Sequence, residues 1–168
     1  EKAFGYYQRW WSHNKAKEQP DGTYTEEQRA DLVGFVPWQC MAMEDMYRHT
    51  GEKRYADFAL ELQLWMDGHF LYTPARSYYP DYLGASFKLH GEQPAINSCG
   101  YTEGCAAAYS LAKQVKRHRS LLRDHLVWGL RFALQVQYRE VETTGYFLPD
   151  PLVALGGFRY CLDRLRLR

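Results

Sequence analysis

The feature that most constrains the fold is a pair of amphipathic helices that occurs twice in the chain. The first pair covers about residues 36–66 and turns at Thr50-Gly51, and the second covers about residues 102–138 and turns at 116–119. Aligning the turns gives an offset of about 66 residues, with Tyr55 opposite Leu121 and Leu62 opposite Trp128. Stacked helical hairpins bury their apolar stripes against one another. The repeat therefore predicts an all-α fold, in which antiparallel hairpins form part of an (α/α) toroid.

The second helix of the first pair has the clearest periodicity. Its apolar residues fall on one stripe at the helical spacing: Tyr55, Phe58, Ala59, Leu62, Trp65 and Met66. The matching stripe of the second pair holds Leu122, Leu126, Gly129, Ala133 and Val136. The helix from about 102 to 116 is rich in Gly and Ala, which suits an inner helix that approaches its neighbours closely.

Local signals predict the helix ends. Residues 1–13 are typical of the end of an earlier helix, and Thr25-Glu-Glu-Gln28 fits a capping box that starts a short helix. We expect Gly34 and Pro37 to interrupt that helix, with Pro37 in the first turn of the next one. Gly51 is expected to end the helix that begins at Pro37, in a left-handed cap.

Two long segments lack helical periodicity. Residues 69–99 and 140–159 are rich in Pro, Gly and Tyr, and loops of this length are often binding loops. A short β-hairpin at 85–89 is an alternative for part of the first segment. We expect these aromatic loops to lie at the mouth of the toroid.

The length and the ends of the chain bear on domain organisation. A chain of 168 residues can form one domain with a sizeable core. It begins without Met and ends without a helix-ending signal, and six hairpins would need about twice this length. We therefore expect residues 1–168 to be a partial toroid domain, truncated at both ends.

Charge and cysteine content exclude several classes of partner. The net charge of +1 gives no reason to expect nucleic acid or an anionic membrane, and no apolar run is long enough to span a bilayer. The basic cluster at 113–125 lacks interleaved aromatics, so a solvated turn is the better interpretation. The four cysteines form no Cys-x-x-Cys pair, which predicts packed thiols, no zinc site and a cytoplasmic protein. No cofactor is expected, and the oligomeric state stays open.

Two carboxylates are the predicted catalytic residues, because sugar hydrolysis or epimerisation needs an acid and a base on opposite sides of the ring. Glu103 lies in Tyr101-Thr-Glu-Gly104, at the start of the predicted inner helix. Asp81 lies in an aromatic setting, Tyr78-Tyr-Pro-Asp-Tyr82. The alternatives are a first-turn carboxylate stabilised by the helix dipole for Glu103, and an ordinary Pro-Asp turn for Asp81.

The predicted substrate-binding residues are aromatic or polar groups around the same mouth. They are Trp38, Gln39, Glu44, Tyr78, Tyr79, Tyr82, Tyr101 and Arg159. Trp38 would stack on a sugar, although core packing is an equal alternative. Only one of Glu44 and Asp45 can face the funnel, since adjacent helical residues point to different faces. Arg159 would bind a carboxylate, or is an ordinary surface residue.

The segment 42–59 resembles a known superfamily. Tyr47-Arg-His-Thr-Gly-Glu-Lys-Arg-Tyr55 is similar to the Tyr-x-x-Thr-Gly-(Asp/Glu)-x-x-Tyr turn of six-hairpin glycosidase-like proteins, which include N-acylglucosamine 2-epimerase-like enzymes and unsaturated glucuronyl hydrolases. Gly156-Gly-Phe158 is similar to their Gly-Gly-Phe loops. The resemblance implies the toroid and sugar chemistry, but it carries over no catalytic residue. Terpenoid cyclases share the toroid, yet their Asp-rich motifs are missing here.

Two hypotheses follow from the sequence. In the first, the chain belongs to an enzyme that hydrolyses or epimerises a small carbohydrate or uronic acid. In the second, it is a non-catalytic helical-repeat module that binds a glycan or a peptide through the same concave mouth. Architecture alone does not choose between them.

Overall fold

The computed structural model of the protein describes residues 2–75, 83–84, 98–132 and 159–166, and these residues form an all-α fold. The helices are α1 (Lys2–Lys15), α2 (Glu26–Thr50), α3 (Lys53–Phe70), α4 (Ser98–Val115), α5 (Arg119–Phe132) and α6 (residues 159–165). The predicted all-α class is thereby confirmed, and the toroid remains a prediction. The predicted hairpin at 85–89 and most of both long loops lie outside the described residues. No described helix is long and apolar enough to cross a membrane.

Helix α2 begins and ends where its capping residues predict. The Thr25 side chain accepts a hydrogen bond from the Gln28 backbone N–H, and the Gln28 side chain accepts one from the Thr25 N–H, which completes the capping box. At the other end Gly51 adopts a left-handed conformation (φ 70°), and its N–H donates to the Tyr47 carbonyl at 2.7 Å. Both predicted signals are confirmed.

The interruption predicted at Gly34 and Pro37 was wrong, because α2 is one continuous helix with Pro37 inside it. A proline in a helix loses one backbone hydrogen bond, and its ring crowds the preceding turn. Here Val36, Pro37 and Cys40 are all buried. Packing of this stretch against the neighbouring helices offsets the local cost of the proline.

The two helical hairpins have the same topology. Cys40 of α2 contacts Ala59 of α3, and Cys105 of α4 contacts Leu122 of α5, so each pair is antiparallel. Helices α2 and α4 run parallel to one another. Gly104 of α4 packs on Pro37 in the middle of α2, whereas Lys113 and Glu44, further along the two helices, both bond to one residue of α6, Arg164.

The repeat is visible in the buried residues of the second helix of each hairpin. Five buried residues of α3 have buried counterparts 66 positions later in α5. The pairs are Ala56/Leu122, Ala59/His125, Leu60/Leu126, Gln63/Gly129 and Met66/Phe132. The two pairs named from the sequence do not match in burial. Tyr55 is buried and Leu121 is 45% exposed, and Leu62 is buried whereas Trp128 is only partly buried. The 66-residue offset therefore remains a prediction that five core pairs support.

Helix α4 begins at Ser98, earlier than the predicted residue 102. Glu103 therefore lies in the second turn of α4 rather than the first. This weakens the alternative in which the helix dipole accounts for Glu103, since that effect falls off within the first turn. In the turn between α4 and α5, Lys116 and His118 have positive φ values of 57° and 54°. The last part of the predicted 120–138 helix lies outside the described residues.

Candidate functional site

The candidate site lies where α2 and α4 touch. A Cβ atom placed on Gly104 would be 2.6 Å from the Pro37 Cα, so the two backbones are in direct contact. Trp38 and Glu103 are the chain neighbours of these two residues. Because consecutive Cα atoms are about 3.8 Å apart, the Cα atoms of Trp38 and Glu103 lie within about 12 Å of each other. The structure therefore brings together two of the predicted site residues.

Helical geometry gives the positions of Glu103 and Trp38 relative to the buried residues of their helices. On α4, Glu103 lies roughly opposite the buried stripe of Tyr101, Cys105 and Ala108. On α2, Trp38 lies roughly opposite the buried stripe that contains Val36 and Cys40, and it is 60% exposed. The Trp38 side chain is thus at the surface, whereas the Glu103 side chain is half-buried, with the fully buried Ala106 and Ala107 one turn later on the same side of α4.

Glu103 has the chemical character of a proton-transfer group. Its side chain is half-buried, and it has no hydrogen bond or ion pair with another described residue. Burial raises the pKa of the Glu103 carboxyl because the charged form loses solvation. A carboxyl whose pKa is raised by desolvation, with no cation to stabilise its charge, is typical of a catalytic acid or base.

Gln39 lies one residue beyond Trp38 and has an unsatisfied acceptor. The residue is 6% exposed, and its Oε1 atom is buried without a hydrogen-bond donor. Leaving such an atom unpaired costs about 1–3 kcal/mol, so native proteins contain few of them. The predicted role of Gln39 in binding a ligand remains a prediction, since this oxygen is buried away from the surface.

A buried polar network joins α3, α4 and α5 beneath this surface. Asp67 accepts hydrogen bonds from the Tyr101 hydroxyl and from Gln63 Nε2 (2.7 Å), and its Oδ2 lies 2.6 Å from Nδ1 of His125. All four residues are more than nine-tenths buried. Burial and the adjacent Asp67 carboxylate raise the pKa of Tyr101, so its hydroxyl keeps the proton that it donates.

This network fixes the backbone on both sides of Glu103. Tyr101 is held by Asp67, and Gly104 is packed against Pro37 and the Gln63 side chain. Tyr101, a predicted substrate contact, is 2% exposed, so it acts on the site by positioning α4. Sequence reasoning missed Gln63, Asp67 and His125. Polar residues four apart within the apolar stripe of α3 were the signal for the first two.

Glu44, also a predicted substrate contact, is the centre of a separate ion cluster. It is 2% exposed and accepts hydrogen bonds from the Tyr160 hydroxyl, from Arg164 (3.0 Å) and from Arg48 (3.3 Å). These contacts attach α6 to α2. The Asp45 side chain is 65% exposed, which confirms that only one of the two adjacent carboxylates points inward.

Of the remaining predicted site residues, Arg159 is the one that the structure describes. The Arg159 side chain is 71% exposed and pairs with Asp163 at 3.0 Å within α6. The predicted acid Asp81 and the three predicted aromatic contacts Tyr78, Tyr79 and Tyr82 lie outside the described residues. No family model, curated protein or solved structure matches this chain. The function is therefore inferred from the chemistry of the site.

Proposed function

We propose that the chain is part of a carbohydrate-active enzyme, of the glycoside hydrolase or sugar epimerase type, in which Glu103 transfers a proton to or from the sugar. The observation that carries this proposal is the state of Glu103. It is half-buried, has no partner among the described residues and has a raised pKa, and its Cα lies within about 12 Å of that of the exposed Trp38. A purely structural carboxylate is normally paired, as Glu44 is in the same molecule.

The Glu103 carboxyl suits either hydrolysis or epimerisation of a sugar. A carboxyl with a raised pKa holds its proton at a higher pH and can donate it to a glycosidic oxygen, and its ionised form can accept a proton from the ring. The Trp38 ring provides a flat apolar surface on which a sugar stacks. In this proposal Asp81 is the second carboxylate, on the opposite side of the ring.

The proposed architecture is the (α/α) toroid expected from the sequence. Two hairpins of the same topology, with α2 and α4 parallel and adjacent, support it. In such an arrangement the parallel helices, which carry Glu103 and Trp38, line the central funnel.

The test is a turnover assay on the chain and on two variants. Neutral oligosaccharides, uronic-acid oligosaccharides and N-acylated hexosamines are incubated with each protein, with cleavage followed by mass spectrometry and epimerisation by NMR. We expect Glu103→Gln to lose turnover while its far-UV circular dichroism is unchanged. The matched control Asp124→Asn alters an exposed carboxylate on α5 and should keep full activity.

Two outcomes would contradict the proposal. Unchanged turnover in Glu103→Gln would remove this residue from the mechanism. Saturable binding of a glycan with no product from any substrate class would identify a non-catalytic module instead.

A further inference from the structure

We propose that Thr102 and Gly129 are positioning residues of the site, because the contact between them sets where the turn of α4 that carries Glu103 stands relative to α5. This inference rests on the proposed function, since it names groups that hold Glu103 in place. It concerns the side of α4 that faces α5, whereas Asp67 acts from α3 and Pro37 acts from α2.

Gly129 of α5 lies directly against α4. A Cβ atom on Gly129 would be 2.7 Å from Oγ1 and 3.2 Å from Cγ2 of Thr102. Atoms in favourable contact are about 3.5–4.0 Å apart, so a methyl group fits here only if the helices separate. Thr102 is 3% exposed, and its side chain is branched at Cβ, which restricts its rotation in a helix. One threonine side chain therefore sets the distance between the two backbones at this level.

The same stretch of α5 is also in contact with the segment that follows α3. A Cβ atom on Gly84 would be 2.1 Å from the carbonyl carbon of Trp128 and 2.6 Å from the backbone nitrogen of Gly129. Gly84 has a φ of 89°, and its N–H donates to the Tyr72 carbonyl at 2.9 Å. A shift of α5 at this point would disturb the contact at Gly84, so α4 takes part of any displacement caused by a larger residue 129.

The environment of Glu103 depends on where this turn of α4 lies. Its side chain is half-buried and has no hydrogen bond or ion pair with another described residue. The backbone of α4, rather than a partner of the carboxyl, therefore determines how deeply Glu103 lies within the described part of the chain. Its neighbours Tyr101 and Gly104 are held by α3 and α2, and Thr102 adds the contact with α5.

The test is the titration of Glu103, followed by NMR of its side-chain carboxyl carbon in the full chain without substrate. Burial raises the pKa of Glu103, so a displacement of α4 that hydrates the carboxyl lowers this pKa towards its ordinary value. The proteins are the wild type, Gly129→Ala, Thr102→Ala, the double variant Thr102→Ala/Gly129→Ala and the control Gly34→Ala. Gly34 lies in α2, and no described atom stands within 4 Å of the position that a Cβ would take.

We expect Gly129→Ala to lower both the urea midpoint of unfolding and the pKa of Glu103, because the added methyl group meets Thr102. Gly34→Ala should raise the midpoint, since alanine favours a helix, and leave the pKa of Glu103 unchanged. Thr102→Ala leaves only its Cβ, 3.4 Å from the position of the added methyl group. In that background Gly129→Ala should have the same effects as Gly34→Ala.

Thr102→Val is a milder second variant, which keeps the test decisive if Gly129→Ala does not fold. It replaces Oγ1 by a larger methyl group against Gly129, so the pKa of Glu103 should fall by less but in the same direction. An unchanged pKa of Glu103 in both Gly129→Ala and Thr102→Val, or in Thr102→Val alone where Gly129→Ala does not fold, would overturn the inference whatever their stability, because the contact would then support folding alone.

The outcomes separate this inference from the proposed function. If the inference fails in this way, turnover in Glu103→Gln still decides whether the chain belongs to an enzyme. Conversely, Glu103→Gln might keep full turnover while the pKa of Glu103 falls in Gly129→Ala and returns in the double variant. That result would remove the catalytic role of Glu103 and leave Thr102 and Gly129 as the residues that position it.

Discussion

Pro37 and Gly104 are in contact so close that no side chain fits between them. A Cβ atom on residue 104 would lie 2.6 Å from the Pro37 Cα and 3.3 Å from Oε1 of Gln63. Helices α2, α3 and α4 therefore meet at a point that requires glycine. The proximity of Trp38 to Glu103 depends on this contact, because each is the chain neighbour of one of the two residues.

Gly104→Ala should separate α2 from α4. The added methyl group meets the Pro37 backbone, which cannot rotate away as a flexible side chain would, and overpacking of this kind costs about 1–3 kcal/mol. We expect a loss of this size in the free energy of unfolding in urea. Glu103 should become better hydrated, and its pKa, followed by NMR, should fall towards its ordinary value.

Gly68→Ala is the control for this substitution. Gly68 lies within α3, and nothing stands within 4 Å of the position that a Cβ would take. Alanine there should stabilise the helix by about 0.5–1 kcal/mol, because glycine loses more backbone entropy on folding. If the two variants are equally stable, the close contact at Gly104 does not constrain the fold.

Glu103→Gln should stabilise the protein at neutral pH while removing activity. Burial raises the folded-state pKa of Glu103 above its value in the unfolded chain. The folded state then binds more protons between the two pKa values, so stability is complete below the unfolded pKa of about 4.5 and is lost as the pH rises through the folded pKa. Glutamine removes this loss, because it carries no charge at any pH.

The measurement compares urea unfolding of the wild type and of Glu103→Gln at pH 4 and at pH 7. The stability of the variant relative to the wild type should increase on going from pH 4 to pH 7. A relative stability that stays constant, or that decreases, would show that Glu103 is not held in a desolvating environment.

Local chemistry explains which parts of the fold were predictable. The Thr25 cap and the Gly51 cap each depend on hydrogen bonds within a few residues, so the sequence alone indicates them. The apolar stripe of α3 was equally clear, since burial follows the helical period. The continuous helix through Pro37 was not predicted. The energetic cost of a proline inside a helix depends on the local sequence, whereas the packing that offsets this cost involves Gly104, far along the chain.

The candidate site was predictable only in part. Glu103 was found from its place between an aromatic segment and an Ala-rich helix. The His125–Asp67 contact joins residues 58 positions apart, and no local pattern connects them. The exposure of Trp38 becomes known only from the structure, because core packing was an equal alternative in the sequence.

Glu44→Gln should detach α6 from the helical pairs. Glu44 is buried and faces Arg164 at 3.0 Å, so neutralising it leaves a guanidinium without its charge partner. Removing one partner of a buried ion pair typically costs about 3–5 kcal/mol. We expect a loss of stability towards the lower end of this range and a loss of amide hydrogen-exchange protection in residues 160–165.

Asp45→Asn is the matched control on the adjacent residue. The Asp45 side chain is 65% exposed and lies 3.6 Å from Arg48, so its removal should change stability by no more than about 0.5 kcal/mol. Protection of residues 160–165 should be unaffected. Equal effects of the two substitutions would mean that Glu44 does not hold α6.

Asp67→Asn should loosen the support beneath Glu103. Asparagine cannot accept hydrogen bonds from Tyr101, Gln63 and His125 with the strength of a carboxylate, and it leaves these buried donors poorly satisfied. We expect a loss of about 3 kcal/mol in the free energy of unfolding. Asp57→Asn, which alters an exposed ion pair with Arg117 at 2.7 Å, should cost less than about 1 kcal/mol.

A kinetic readout separates positioning from general stability in the Asp67 variant. Under conditions where the variant is folded, displacement of Glu103 should lower kcat and shift the limb of the pH–rate profile that reports this carboxyl, with little change in KM, because the Trp38 platform is on a different helix. Tyr101→Phe should shift the same limb in the same direction, since it removes the hydrogen bond that the Tyr101 hydroxyl of α4 donates to Asp67. A variant that loses stability but keeps the wild-type pH profile would assign the network to folding alone.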